Sequence, residues 1–329
     1  MSATHPKHAD VVAAIRNLPS GKKFIAAVLF YYLVTSLFAV WKIDAFLKDV
    51  LVAPLYILVP TGFGLFVLSV ANIHERLMSW ARRGQIIVCA SFIGLVSVTL
   101  VYQEAERYRV LPVIFPYLYP AIKALSVLGF LRAWRLFEFG DQSFRNAAWT
   151  LVVIGPVAVI TYYFLYIQFS SYPLRDIFQQ MHFMKGALEL SKFQILNPFV
   201  SSAYLSIIQV HLGLLHHFYG YDLINSQWIL PVCIYFFHLA CYYLFFSALT
   251  DSAAGIRIAL ALATVLAPMF AVENMILLES MTLVFFSMLV RAKLDERGMA
   301  RPVAVVMLLA ALFGLYYLHF HYLYAGPAS

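Results

Sequence analysis

Apolar runs of about 17 to 25 residues recur along this chain, each long enough to cross a bilayer as a helix. They fall at 24–41, 53–73, 85–102, 115–131, 148–169, 228–249, 256–272, 275–292 and 302–321. A single run would be an anchor. Nine, spread over the whole length, leave little chain for anything else. Of 329 residues, 63% are apolar and only 12% are charged, against about 25% charged in an ordinary soluble domain. A soluble enzyme, a disordered tail and a disulfide scaffold are excluded on that ground. The sequence predicts an all-α polytopic transmembrane helix bundle, because only helices satisfy their own backbone inside lipid without closing a barrel.

Two of the runs are interrupted. The 115–131 run holds Pro116, Pro120 and Lys123, and the short 256–272 run holds Pro268. A tenth segment, 199–219, carries His211, His216 and His217. Charge placement decides how to treat it. With the N-terminus inside and 199–219 not spanning, fifteen Lys and Arg fall on the inner side and seven on the outer, with Lys123 inside a span. That bias follows the positive-inside rule. A spanning 199–219 would reverse every later loop and turn the basic segment Arg291–Arg301 outward. The expectation is therefore nine spans, N-terminus cytoplasmic and C-terminus outside, as in a bacterial inner membrane. Residues 1–147 hold four N-terminal spans. Residues 148–329 hold a fifth span, a long outer loop at 170–227 and four further spans. Within that loop Ile177, Phe178, Met181, Met184 and Leu188 recur at helical spacing. Such amphipathic helices lie along a membrane surface or dock on a bundle.

The net charge of +7 suits cytoplasmic loops rather than nucleic acid, so membrane lipids and other membrane proteins are the expected partners. Cys89, Cys233 and Cys241 lie in apolar stretches without metal-ligand spacing and are expected to be buried thiols. The first apolar run lacks a small-residue cleavage pattern, so a removed signal peptide is not expected. The chain contains no phosphate-binding P-loop, dinucleotide fingerprint, HExxH or GxSxG motif.

Chemistry concentrates in two acidic places. Arg175–Asp176 follows the end of the fifth span, with His182 and Glu189 further on. A carboxylate at the boundary between lipid and water can hold a divalent metal or take a proton from a hydroxyl; its bland alternative is an interfacial Arg–Asp pair. Glu273 falls at the outer end of the eighth span, and Glu279 lies about two turns deeper. Carboxylates inside a span usually face a cavity or a partner helix. The predicted topology puts Asp176 and Glu273 on one side.

Residues 170–292 resemble the front part of the GT-C superfamily, the integral-membrane glycosyltransferases that use polyprenyl-phosphate sugars. The resemblance rests on Asp176 near the start of the large outer loop, the stretch His182 to Ala187, Asn197–Pro198–Phe199, the amphipathic SAYLSIIQVHLGLLHHFYGYD and the later LLESMTLVFFSMLVRAKL. Arg175 and Ile177 flank Asp176 where the family pairs a second acid, and four spans precede the matching region. The resemblance implies transfer of a sugar from a polyprenyl-phosphate donor to a glycan or lipid acceptor on the outer face. It implies Asp176 and Glu273 as catalytic residues and ligands of a divalent metal, Mg or Mn. Arg175, His182, His216 and Glu279 would contact substrate. Two other readings compete: a non-catalytic membrane subunit or lipid-linked transporter, and a membrane oxidoreductase with a metal or haem held by histidines. The latter draws on His211–x4–His216–His217 and on His319 and His321, all on the outer side of the predicted topology.

Overall fold

The computed structural model describes residues 20–37, 44–71, 83–108, 110–134, 203–249 and 252–270, together with Leu283 and Ser287. All regular structure among them is helical: α1 Ser20–Leu37, α2 Ala45–Val52, α3 Leu55–Val70, α4 Arg83–Arg107, α5 Leu111–Ala133, α6 Ala203–Tyr219, α7 Leu223–Leu249 and α8 Ala253–Phe270. Among the described residues three stretches are long and apolar enough to cross a membrane: Ala45–Val70, Gln85–Tyr102 and Val113–Ala133. The expected spans at 148–169 and 302–321 lie outside the described residues, as does almost all of 275–292.

The expected and observed elements differ at particular ends. The second apolar run begins at 53, but its helix starts earlier, at Ala45. Asp44 starts α2 by accepting the Leu47 amide at 3.1 Å, which satisfies one of the orphan donors of a helix N-terminus. A turn at Ala53–Pro54 then separates α2 from α3. Pro116 and Pro120 do not break α5, which runs unbroken from Leu111 to Ala133. Each proline costs the helix one backbone hydrogen bond, which membrane helices tolerate more readily than soluble ones.

The core is α3 set against both α4 and α5, and small residues make this possible. A Cβ at Gly64 would overlap the Ala90 carbonyl, one at Gly94 the Pro60 carbonyl, and one at Gly129 the Gly62 carbonyl. Backbones this close gain van der Waals contact along the whole crossing, the main adhesive between helices where lipid is as apolar as leucine. Hydroxyl pairs add to it. Thr61 and Ser91 meet at 2.7 Å between α3 and α4, and Tyr32 reaches Ser126 at 2.9 Å between α1 and α5. Large apolar side chains point outward as well, among them Phe30 and Leu33 on α1, Val113 and Tyr117 on α5, and Ile258 and Leu262 on α8. A water-facing helix would carry polar residues there.

Apart from the hydroxyl pairs within the bundle, contacts of charged and amide side chains gather at two ends. At one, the Lys22 ammonium sits 5.5 Å from the Trp134 ring, Arg132 donates to Ser69 at 3.1 Å, and Gln85 donates to Ser287 at 3.0 Å. At the other, Lys48 meets Gly220, Asp49 meets Asp222 and Lys123 meets Ser36 and Tyr219. We call these the Trp134 end and the Lys48 end.

Candidate functional site

The Lys48 end is built by α6 and the turn after it. The 199–219 segment, expected as a non-spanning helix, does not lie off the bundle. Its second half docks on α3, α4 and α5. His211 is buried, donates from Nε2 to the Leu95 carbonyl at 3.1 Å and packs edge-on against Tyr56. A carbonyl only accepts, so Nε2 carries the proton. Further along, Phe218 stacks on Tyr119 at 5.1 Å, and His217 packs against Phe115 at 4.7 Å. Between α6 and the core remains a cavity of about 10 Å³, room for roughly one water. Tyr56, Pro60, Tyr119 and His211 line it. The buried Tyr56 hydroxyl has no hydrogen-bond partner among the described residues.

Helix α6 ends because Gly220 adopts φ +59°, the left-handed conformation that glycine takes without a Cβ penalty. Its amide bonds back to the His216 carbonyl at 2.8 Å, a left-handed C-terminal cap. Helix α2 then grips the turn from both chemical sides. Lys48 donates to the Gly220 carbonyl at 2.8 Å, placing a cation at the C-terminal end of α6, where the helix dipole is negative. The fully buried Asp49 accepts the Asp222 amide on both oxygens, at 3.2 and 3.3 Å. This places an anion at the N-terminal end of α7, where the dipole is positive. Two neighbouring residues of one short helix thus complement two opposed helix termini. Between them Tyr221 is buried, and burial raises its phenol well above the ordinary value.

Beside this turn lies a cationic cluster. Lys123 of α5 donates to the Tyr219 hydroxyl at 2.7 Å, to Ser36 Oγ at 2.9 Å and to the Tyr32 carbonyl at 3.2 Å. Its ammonium also lies 5.4 Å from the Tyr219 ring and 5.5 Å from the Tyr32 ring.

Of the residues expected to act in catalysis or to bind substrate or metal under the glycosyltransferase resemblance, His216 is the one the structure describes; His211 and His217 of the histidine reading are described as well. His216 is half-buried, and its Nδ1 donates to the Tyr221 carbonyl at 2.7 Å. That bond fixes the tautomer, with the proton on Nδ1 and the lone pair on Nε2. Asp176, Arg175, His182, Glu273 and Glu279 lie outside the described residues, as do His319 and His321. The Mg or Mn site expected on Asp176 and Glu273 lies outside them too. Among the described residues no three His, Cys, Asp or Glu side chains gather as metal ligands would. His211 and His216 both spend a ring nitrogen on a backbone carbonyl. Cys89 and Cys241 are buried and Cys233 half-buried, and none of the three is in a disulfide. Lys48, Asp49, Tyr219 and Tyr221 were not singled out from sequence. Lys123 was visible only as a charge inside an apolar run. The adjacent Lys48–Asp49 pair, just ahead of an apolar run, was the available signal for α2.

Comparison with family models, with curated proteins and with solved structures finds no match to this chain.

Proposed function

We propose that this chain is an integral-membrane glycosyltransferase of nine spans, with its site at the outer end of the bundle. It would move a sugar from a polyprenyl-phosphate donor to a glycan or lipid acceptor. The observation that carries the membrane half is the two-ended gathering of charged and amide side-chain contacts. Alternation from an inside N-terminus assigns Lys22, Ser69, Gln85, Arg132, Trp134 and Ser287 to the inner side. It assigns Ser36, Lys48, Asp49, Tyr219, Gly220 and Asp222 to the outer side. Residues that touch at either end carry the same assignment. Outward-pointing apolar side chains on α1, α5 and α8 support the same reading. The sugar-transfer half rests on the resemblance over 170–292.

In the proposed reaction Asp176 takes the proton of the acceptor hydroxyl. The freed oxygen attacks the anomeric carbon, the bond from that carbon to the phosphate oxygen breaks, and the lipid phosphate leaves with the electron pair. Glu273 is the second acidic group and, with Asp176, the proposed ligand set for Mg or Mn. Arg175, His182, Glu279 and His216 are proposed to contact substrate. The leaving group stays in the membrane, so the scheme asks for no nucleotide-binding domain.

Asp176→Asn preserves shape and removes basicity. Transfer from a panel of polyprenyl-phosphate hexoses by purified protein in liposomes should fall about 10²–10⁴-fold, with the melting temperature unchanged. His216→Ala should lose far less. Wild-type rates in Asp176→Asn would remove Asp176 as the base. Bound iron or haem, lost together with activity in His216→Ala, would replace this reading with the oxidoreductase.

A further inference from the structure

A lysine ammonium inside a helix bundle normally finds a counter-charge, because an uncancelled charge away from bulk water is costly. Lys123 has none among the described residues. Its contacts are a backbone carbonyl, a serine hydroxyl, a phenol and two aromatic rings. These neutral groups solvate the ammonium and leave its charge standing. Ser36 and Tyr219 bring two hydroxyls to the same point from α1 and α6; the Ser36 hydroxyl donates to the Tyr32 carbonyl at 2.6 Å and turns from it to meet an incoming oxygen.

The cluster is reachable from the side. Lys123 is only partly buried, and its contact with Ser36 lies in an exposed position. The surface around that opening is apolar. Leu33 and Leu37, which flank Ser36 on α1, are 62% and 43% exposed. An ion in water gains nothing from such flanks. An amphiphile with one anionic head and a hydrocarbon tail gains at both ends, since basic pockets between spans take lipid head groups.

We propose that Lys123, Ser36 and Tyr219 bind the phosphate head of a lipid phosphate, whose chain runs over Leu33 and Leu37. Identifying this lipid with the sugar donor rests on the transferase reading; the binding itself does not involve Asp176. The phosphate displaces one neutral acceptor from the ammonium and replaces it with a charged one, which makes the stronger hydrogen bond.

The test is native mass spectrometry of the purified full chain in detergent. Farnesyl phosphate is the probe, with farnesol and inorganic phosphate as controls. Wild-type protein should bind farnesyl phosphate about tenfold or more tightly than farnesol. Lys123→Met should reduce that preference to near unity, and Lys123→Arg should keep most of it. Should Lys123→Met fail to fold, the Ser36→Ala, Tyr219→Phe double variant should weaken farnesyl phosphate severalfold and leave farnesol unchanged. Equal binding of farnesyl phosphate and farnesol by wild type, or an undiminished preference in Lys123→Met, overturns the site. Inorganic phosphate competing as strongly as farnesyl phosphate overturns the lipid as its source. Asp176→Asn should bind farnesyl phosphate as wild type does, so loss of transfer with binding intact separates the two proposals.

Discussion

The crossing of α3 with α4 and α5 and the docking of α6 onto that crossing hold together by different means. At the crossing the backbones themselves touch. Gly62, Gly64, Gly94 and Gly129 leave no room for a side chain, and the polar links described along it are the Thr61–Ser91 hydroxyl pair and, at its end, Arg132 on Ser69. Around the Gly220 turn the backbones stay apart, and the gap is filled by Lys48, Asp49, Lys123 and a run of aromatic rings. Close backbone packing is stiff and indifferent to solvent and ions. Charged and phenolic contacts can exchange one partner for another, which a ligand requires. The functional candidates accordingly sit at the second place, and the first is the frame that fixes their spacing.

Three substitutions would test that contrast, in falling order of expected effect. Gly94→Val drives a branched side chain into the Pro60 carbonyl. Neither backbone can yield without separating α3 from α4, so the cost exceeds the about 1–3 kcal/mol of ordinary overpacking. Little folded protein should be recovered by size-exclusion chromatography in detergent. A well-behaved Gly94→Val peak with unchanged melting temperature would mean the helices do not approach so closely.

Asp49→Ala removes the carboxylate that accepts the Asp222 amide at the start of α7, a part-buried contact. The loss should be about 1–3 kcal/mol, read as a lower melting temperature. Increased amide exchange should be confined to the Gly220–Leu223 turn and the first turn of α7. Exchange spreading into α3 and α4 would show that the two regions are not mechanically separate.

Lys48→Gln keeps length and a donor but removes the charge beside the C-terminus of α6. An exposed cation at a helix end contributes about 0.3–1 kcal/mol, and salt screens it. The variant should differ from wild type at low ionic strength and converge with it at high salt. A difference that persists in salt would mean that the hydrogen bond to Gly220, not the charge, matters.

Much of the helical architecture was legible in the residues because it depends on a one-dimensional property. Apolar run length predicts where a helix can cross lipid, and the runs at 53–73, 85–102 and 115–131 contain most of the three stretches long and apolar enough to do so. Even the start of α2 was written locally, in Asp44 three residues before the amide it caps. The site was less legible. Asp176 and Glu273 stood out because acids are rare in this chain, and rarity is a property of composition. Lys48, Asp49 and Tyr219 did not stand out, because each is ordinary in its own neighbourhood. They matter through partners 172, 173 and 96 residues away.

The sequence by itself determined that this chain forms long apolar helices and where its basic residues cluster between them, because hydrophobicity and charge act residue by residue. Only the tertiary structure decided that α6 docks on the α3–α4–α5 crossing, that one short helix holds both sides of the Gly220 turn, and that Lys123, among the described residues, meets hydroxyls and a carbonyl and no acid. Those outcomes depend on which side chains meet across the bundle. The meeting is governed by the fit of glycine against carbonyl and ring against ring, which no local pattern of residue types records.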